Sequence, residues 1–160
     1  MRRMPALRGA AVRVEPADGL RDRRGPVHAG AFLRERRIAF DCTRAEFPRI
    51  FVHEVAHFVW LRLGNATRRR YEELVGAELR RGTRGELGWS AEWRKMALAN
   101  GDIGRRTRRW REYCCESFCD TAAWLYSGVA RHSEFTLGGR ARQRRREWFD
   151  RNLGSRPLSI

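Results

Sequence analysis

Apolar residues in this chain follow two patterns, a short alternating stretch early on and helical spacing over most of the remainder. The run AGAFLRERRIAFD, from Ala29 to Asp41, predicts two short strands, Ala31–Arg34 and Arg37–Phe40, around a tight turn. From Ile50 to Leu63 the run IFVHEVAHFVWLRL is apolar nearly all round, broken only by His53, Glu54, His57 and Arg62. A helix of that kind sits inside a core rather than on a surface. Pro48 suits its first turn and Gly64-Asn65 its end, which places it at about 46–63. A polar, Arg-rich helix over about 67–81 reads as a solvated face. A link through Gly82, Gly85 and Gly88 follows, then a helix at about 91–99 with Ser90 as N-cap. Trp110, Tyr113, Cys114, Phe118, Thr121, Ala122 and Leu125 recur at helical spacing and predict a long helix from Thr107 to Tyr126, closed by Gly128. A last, charged helix covers about 138–152. Residues 1–25 read as loose apart from a short edge strand at Ala11–Val14. With no repeat and no internal boundary, residues 26–160 form one predicted α+β domain. It is mostly helical, with a small antiparallel sheet packed on the 46–63 helix.

Composition agrees with one domain: 160 residues, 42% hydrophobic, are enough for one real core. Charge adds a question. The net formal charge is +15, from 34 basic and 19 acidic residues, and Lys95 is the one lysine. One reading is an electrostatic footprint for nucleic acid, bound without sequence preference; the other is a solvated surface with no partner. Arg140, Arg142, Arg144, Arg145 and Arg146 form the densest basic run, but no nucleic-acid motif accompanies them. Cys42, Cys114, Cys115 and Cys119 contain no C-x-x-C pair, and adjacent cysteines do not staple a fold, so they read as reduced thiols in a core. The amino terminus is positive but lacks the apolar stretch of about 7–15 residues of a signal peptide. No apolar run reaches about 18 residues, so a cytoplasmic protein with no membrane partner is expected.

The chemistry lies in His53-Glu54-Val55-Ala56-His57. Residues four apart on a helix share a face, so both imidazoles point at one place while Glu54 reaches beside them. Burying three such groups in an apolar helix costs several kcal/mol unless something pairs them, and a zinc ion does so. With this chain's usage of His and Glu, the pattern arises by chance about 0.008 times per chain. Catalytic zinc takes three protein ligands and leaves a position for water. His28 and His132 lie at predicted turns, and no histidine follows the motif closely, so the third ligand is expected to be a glutamate. Glu116 is the first choice, on an otherwise apolar helix among small residues. Asp120, one turn on, is placed to accept the far ring N–H of a ligand histidine. Glu78 is the rival ligand. Tyr113, Tyr126 and His132 are candidate donors to an oxyanion.

His53-Glu54-x-x-His57 followed by Glu116-x-x-x-Asp120 resembles the gluzincin metallopeptidases. Arg37-Ile-Ala-Phe-Asp41 before the motif, and Glu116, Asp120 and Ala123 after it, resemble the ImmA/IrrE-type minimal zinc peptidases, with a longer intervening segment and no helix-turn-helix. The resemblance implies a zincin-like fold and a Zn²⁺ ion held by His53, His57 and Glu116. It also implies hydrolysis of a peptide or protein substrate with Glu54 as general base. A different class of reading is a basic nucleic-acid-associated protein whose zinc is structural; SprT-like proteases near DNA combine the two. A toxin or effector enzyme with one protein target fits the same residues.

Overall fold

The computed structural model describes residues 3–22, 25–154 and 156–160. Its centre is a pair of packed helices, α1 (Phe47–Arg62) and α5 (Arg108–Tyr126). Around them stand α2 (Asn65–Arg80), α3 (Trp89–Met96), the one-turn α4 (Asp102–Arg105) and α6 (Gly139–Leu153). Short strands complete the chain: β1 (Leu7–Arg8), β2 (Arg13–Pro16), β3 (Arg21–Asp22), β4 (Gly25–Pro26), β5 (Ala29–Phe32), β6 (Arg37–Phe40) and β7 (Leu158–Ser159). The fold is α+β and mostly helical.

The apolar run of α1 is buried on two sides, which accounts for its near-continuous hydrophobicity. Val52, Ala56 and Val59 face the main core, where Tyr71 of α2, Phe118 of α5 and Phe149 of α6 meet them. Phe118 stacks on Phe149 with centroids 4.9 Å apart, and Tyr71 sets its edge to Phe118 at 5.5 Å. Ile50, Val55 and Phe58 face the sheet, against Ile38 and Phe40 of β6.

That sheet has the order β2-β6-β5. β5 and β6 are an antiparallel hairpin in the register Ala29↔Phe40 and Phe32↔Arg37, and Arg36 turns its corner at φ 48°. β2 runs parallel to β6, so the sheet is mixed where the sequence predicts an antiparallel one. The physical reason is the excursion between β2 and β5. The β3–β4 hairpin lies inside it, and after β5 the chain turns back as β6, which enters between β5 and β2 in the same direction as β2. The hairpin's first strand also begins two residues earlier than predicted. Three strands occupy the predicted loose segment 1–25, and β1 pairs in parallel with β7 from the other end of the chain.

Two further expectations change. Gly88, not Ser90, is the N-cap of α3. The predicted solvated helix, α2, buries Tyr71, Glu72, Val75, Gly76 and Glu78. Its carboxylates find cations from elsewhere in the chain. Arg145 of α6 is fully buried and forks between two acids: its Nη2 donates to Glu78 Oε2 at 2.8 Å and its Nη1 to Glu86 Oε2 at 2.7 Å. The Arg140–Arg146 run is therefore not one free basic face. Arg142 donates to the carbonyls of Leu137 and Phe135, and Arg146 lies over the ring of Trp124 at 4.9 Å.

Candidate metal centre

His53 and His57 stand one turn apart on the side of α1 that meets α5, and Glu116 and Asp120 stand one turn apart on α5 opposite them. His53 Nδ1 donates to Asp120 Oδ1 at 2.7 Å. In the neutral ring that bond places the proton on Nδ1 and leaves the Nε2 lone pair pointing inward. His53 Nε2 then lies 3.2 Å from His57 Nε2 and 3.3 Å from Glu116 Oε2, with His57 Nε2 3.9 Å from the same oxygen. Two donors, each about 2.05 Å from one ion at the tetrahedral angle, stand about 3.3 Å apart. Two of the three separations match that spacing, and the third, 3.9 Å between His57 and Glu116, is longer. Cys119 Sγ is also near, its sulfur and the histidine nitrogens all lying within 4.8 Å of one another.

A layer of partners fixes these side chains. The second oxygen of Asp120 accepts from the Ala91 backbone N–H at 3.0 Å, which ties α3 to the site. Glu116 Oε1 is 3.0 Å from Arg94 Nη2. Cys115 Sγ lies 3.6 Å from His57 Nδ1, the ring nitrogen facing away from the cluster. Electrostatics follow the geometry. Burial opposes charge on His53, and the Asp120 carboxylate outweighs it, so its pKa stands well above the usual imidazole value. Burial pushes the Glu116 carboxyl up, but the two histidines and Arg94 bring it down to about 2. The site favours an anionic carboxylate and a nearby positive charge.

The cluster forms the floor of a cleft of about 740 Å³, with Glu54 on its wall. Ala29, Gly30 and Ala31 of β5 line one side, and Trp89, Trp93 and Arg94 of α3 another. β5 is the sheet's edge, paired on one side with β6.

The structure brings together His53, Glu54, His57, Glu116 and Asp120, and it disperses the other candidates. Glu78 belongs to the Arg145 cluster and is not among the residues lining the cleft. Tyr113 is fully buried and donates to Glu86 Oε1 at 2.6 Å, so its hydroxyl is committed away from the cleft. Tyr126 packs its ring toward Phe149, and His132 Nε2 lies 3.1 Å from Glu46 Oε1, both off the cleft wall. Sequence reasoning missed Arg94, Cys115 and the part α3 plays in holding Asp120. Cys115 carried a faint signal, since it precedes Glu116 and lies on the flank of α5 nearest the ligand face. Arg94 carried none, being one arginine among many. Comparison of the chain with protein-family models, with curated proteins and with solved structures finds no match in any of the three.

Proposed function

We propose that the chain is a zinc-dependent metallopeptidase whose metal is held by His53, His57 and Glu116. The observation that carries this is the 3.2–3.9 Å convergence of two imidazole nitrogens and one carboxylate oxygen at the floor of a cleft that also presents Glu54. Zinc bound there supplies a Lewis acid for a substrate carbonyl and makes water a better nucleophile at neutral pH. Glu54 accepts the proton of the attacking water and hands it to the leaving amine. Asp120 keeps the His53 lone pair directed inward, and Cys115 does the same for His57. With Tyr113 and His132 placed elsewhere, Arg94 takes the role of oxyanion donor, because it lines the cleft and already touches the ligand set. An extended peptide adds along the open edge of β5, its backbone bonded as a further strand and its scissile bond above the cluster. This reading agrees with the gluzincin-like arrangement of the motif residues.

A second reading has its own observation. Cys119 Sγ lies within 4.8 Å of the ligand nitrogens of His53 and His57, and if it were to bind beside them and Glu116, four protein ligands would close the site and zinc would only hold the fold. Two variants separate the readings. Glu54→Gln should keep one zinc per chain and lose cleavage of a denatured-protein substrate by about 10²–10⁴-fold, the usual share of a general base. Cys119→Ser should keep both metal and cleavage. Loss of zinc in Cys119→Ser, with no cleavage by the parent chain, establishes the closed site instead.

A further inference from the structure

A second pocket, of about 270 Å³, lies away from the cleft where the end of α1, the start of α2 and the α4–α5 corner meet. Trp60 forms one wall, and Arg68, Arg69, Arg106 and Arg111 surround it with Glu72 as the sole carboxylate. Three positive charges are thus in excess around one concavity. Most of these guanidiniums are held in place rather than waving in water. Arg106 grips Glu72 through two bonds, of 2.8 and 2.9 Å, and thereby uses up its charge. Arg68 donates to Asn65 Oδ1 at 2.8 Å, and Arg111 donates to the carbonyl of Arg106 at 3.0 Å. The corner that presents that carbonyl is itself unusual: Arg106 sits in the left-handed region at φ 48°, a conformation that a side-chain-bearing residue keeps only when its surroundings enforce it. Asp102 supplies the enforcement by accepting from the Ala99 N–H at 2.8 Å and from the Thr107 hydroxyl at 2.7 Å. Arg69 has no protein partner among the described residues. No acidic residue occupies the first turn of α2 to compete for an anion.

Like charges gathered and fixed around a cavity repel one another, and an anion with several acceptor oxygens relieves that repulsion. A phosphate supplies those oxygens, and arginine's planar fork matches them. The half-buried Trp60 adds a flat apolar wall beside the arginines, the pairing by which proteins hold a base next to its phosphate. The volume falls a little below the range of about 300–1,000 Å³ usual for drug-sized ligands, which suits one nucleotide unit. We propose that this pocket binds the phosphate of a nucleotide, free or within a single nucleic-acid strand, with its sugar or base against Trp60. The pocket is independent of whether the cleft is a peptidase, and it places the nucleic-acid contact between the α1–α2 and α4–α5 corners rather than on the Arg140–Arg146 run.

Fluorescence anisotropy with a labelled oligothymidylate of about twenty nucleotides, over about 50–200 mM salt, tests it. The pocket variant is Arg69→Ala with Arg111→Ala; the charge-matched control is Arg131→Ala with Arg140→Ala, on exposed residues elsewhere. The pocket variant should weaken binding at least about tenfold at 100 mM salt and lower the salt slope by about 1.4, two contacts at roughly 0.7 each. The control should change affinity by less than about twofold. Arg69→Ala alone removes no protein contact, so it keeps the test open should the double variant unfold, and it should lower the slope by about half as much. Titration with ATP separates the sources: tighter binding of the oligonucleotide identifies a strand, tighter binding of ATP a free nucleotide, and the pocket variant must lose whichever is seen. Equal weakening in both variants, or binding of both probes weaker than about 10⁻⁴ M at 150 mM salt, overturns the proposal.

Discussion

Asp120 uses both carboxylate oxygens, one for His53 Nδ1 and one for the Ala91 N–H, and so it is an orienting group with no freedom to turn. The room for it comes from Gly88. That residue has extended backbone at φ −178°, which any amino acid adopts, so conformation is not what demands glycine there. Space is: a Cβ at Gly88 would lie 2.3 Å from Cγ and Oδ1 of Asp120. Gly88→Ala should therefore push Asp120 off His53 and free the ring to turn. The expected outcome is a loss of zinc affinity of about 10–100-fold, the usual effect of removing such a partner, matched by Asp120→Asn. Competition against a chromophoric chelator measures it, with circular dichroism to verify an intact fold. Undiminished affinity in both variants would remove Asp120 from the proposed metal site.

At the scale of elements, the parts that could be read from sequence are those whose burial repeats with a helical period. The run from Ile50 to Leu63 and the spacing from Trp110 to Leu125 place α1 and α5 within a residue or two of their ends, and those two helices carry the whole convergent cluster. What stayed hidden depends on partners distant in sequence. Glu72 and Glu78 look solvated among the arginines of α2, yet they face inward because Arg106 arrives from the α4–α5 corner and Arg145 from α6. Gly88 reads as one more linker glycine until Asp120 is seen beside it. Strands of two residues have no period to detect, and β1 and β7 form only because the chain's two ends meet. That meeting has a core behind it: Leu158 of β7 is buried with Phe149 and Leu153. Leu158→Ala should cost about 2–5 kcal/mol in urea unfolding, the range for a large residue truncated in a core. A cost near that of a surface change, within about 0.5 kcal/mol, would mean the terminal pair is decoration rather than part of the fold.

For the whole molecule, a net charge of +15 has to coexist with a compact state, and part of the answer is that some cations serve the interior. Arg145 is fully buried between Glu78 and Glu86, and Tyr113 donates to Glu86 as well, so α2, α5, α6 and the loop before α3 are joined through one ionic knot. Burial pushes the Glu86 carboxyl up, and Arg145 outweighs it, leaving Glu86 below its ordinary value of 4.5. A carboxyl depressed in the folded state adds stability that is complete above its unfolded value and fades as pH falls through the folded one. Acid should therefore loosen this knot below about pH 4.5. Arg145→Met keeps the bulk and removes the central charge, leaving Glu86 with Lys95 at 3.5 Å and Glu78 with Arg144 at 4.0 Å as weaker, single-contact cations. At pH 7 that should cost about 3–5 kcal/mol, since breaking a buried pair strands its partner. The cost should shrink toward pH 4, because stranded buried carboxyls take up protons more readily than paired ones and the variant gains where the parent loses. Urea unfolding of both proteins at the two pH values gives the comparison. A penalty of equal size at both would assign the loss to packing around α6 rather than to charge, and the knot would then have no part in reconciling so basic a chain with a stable core.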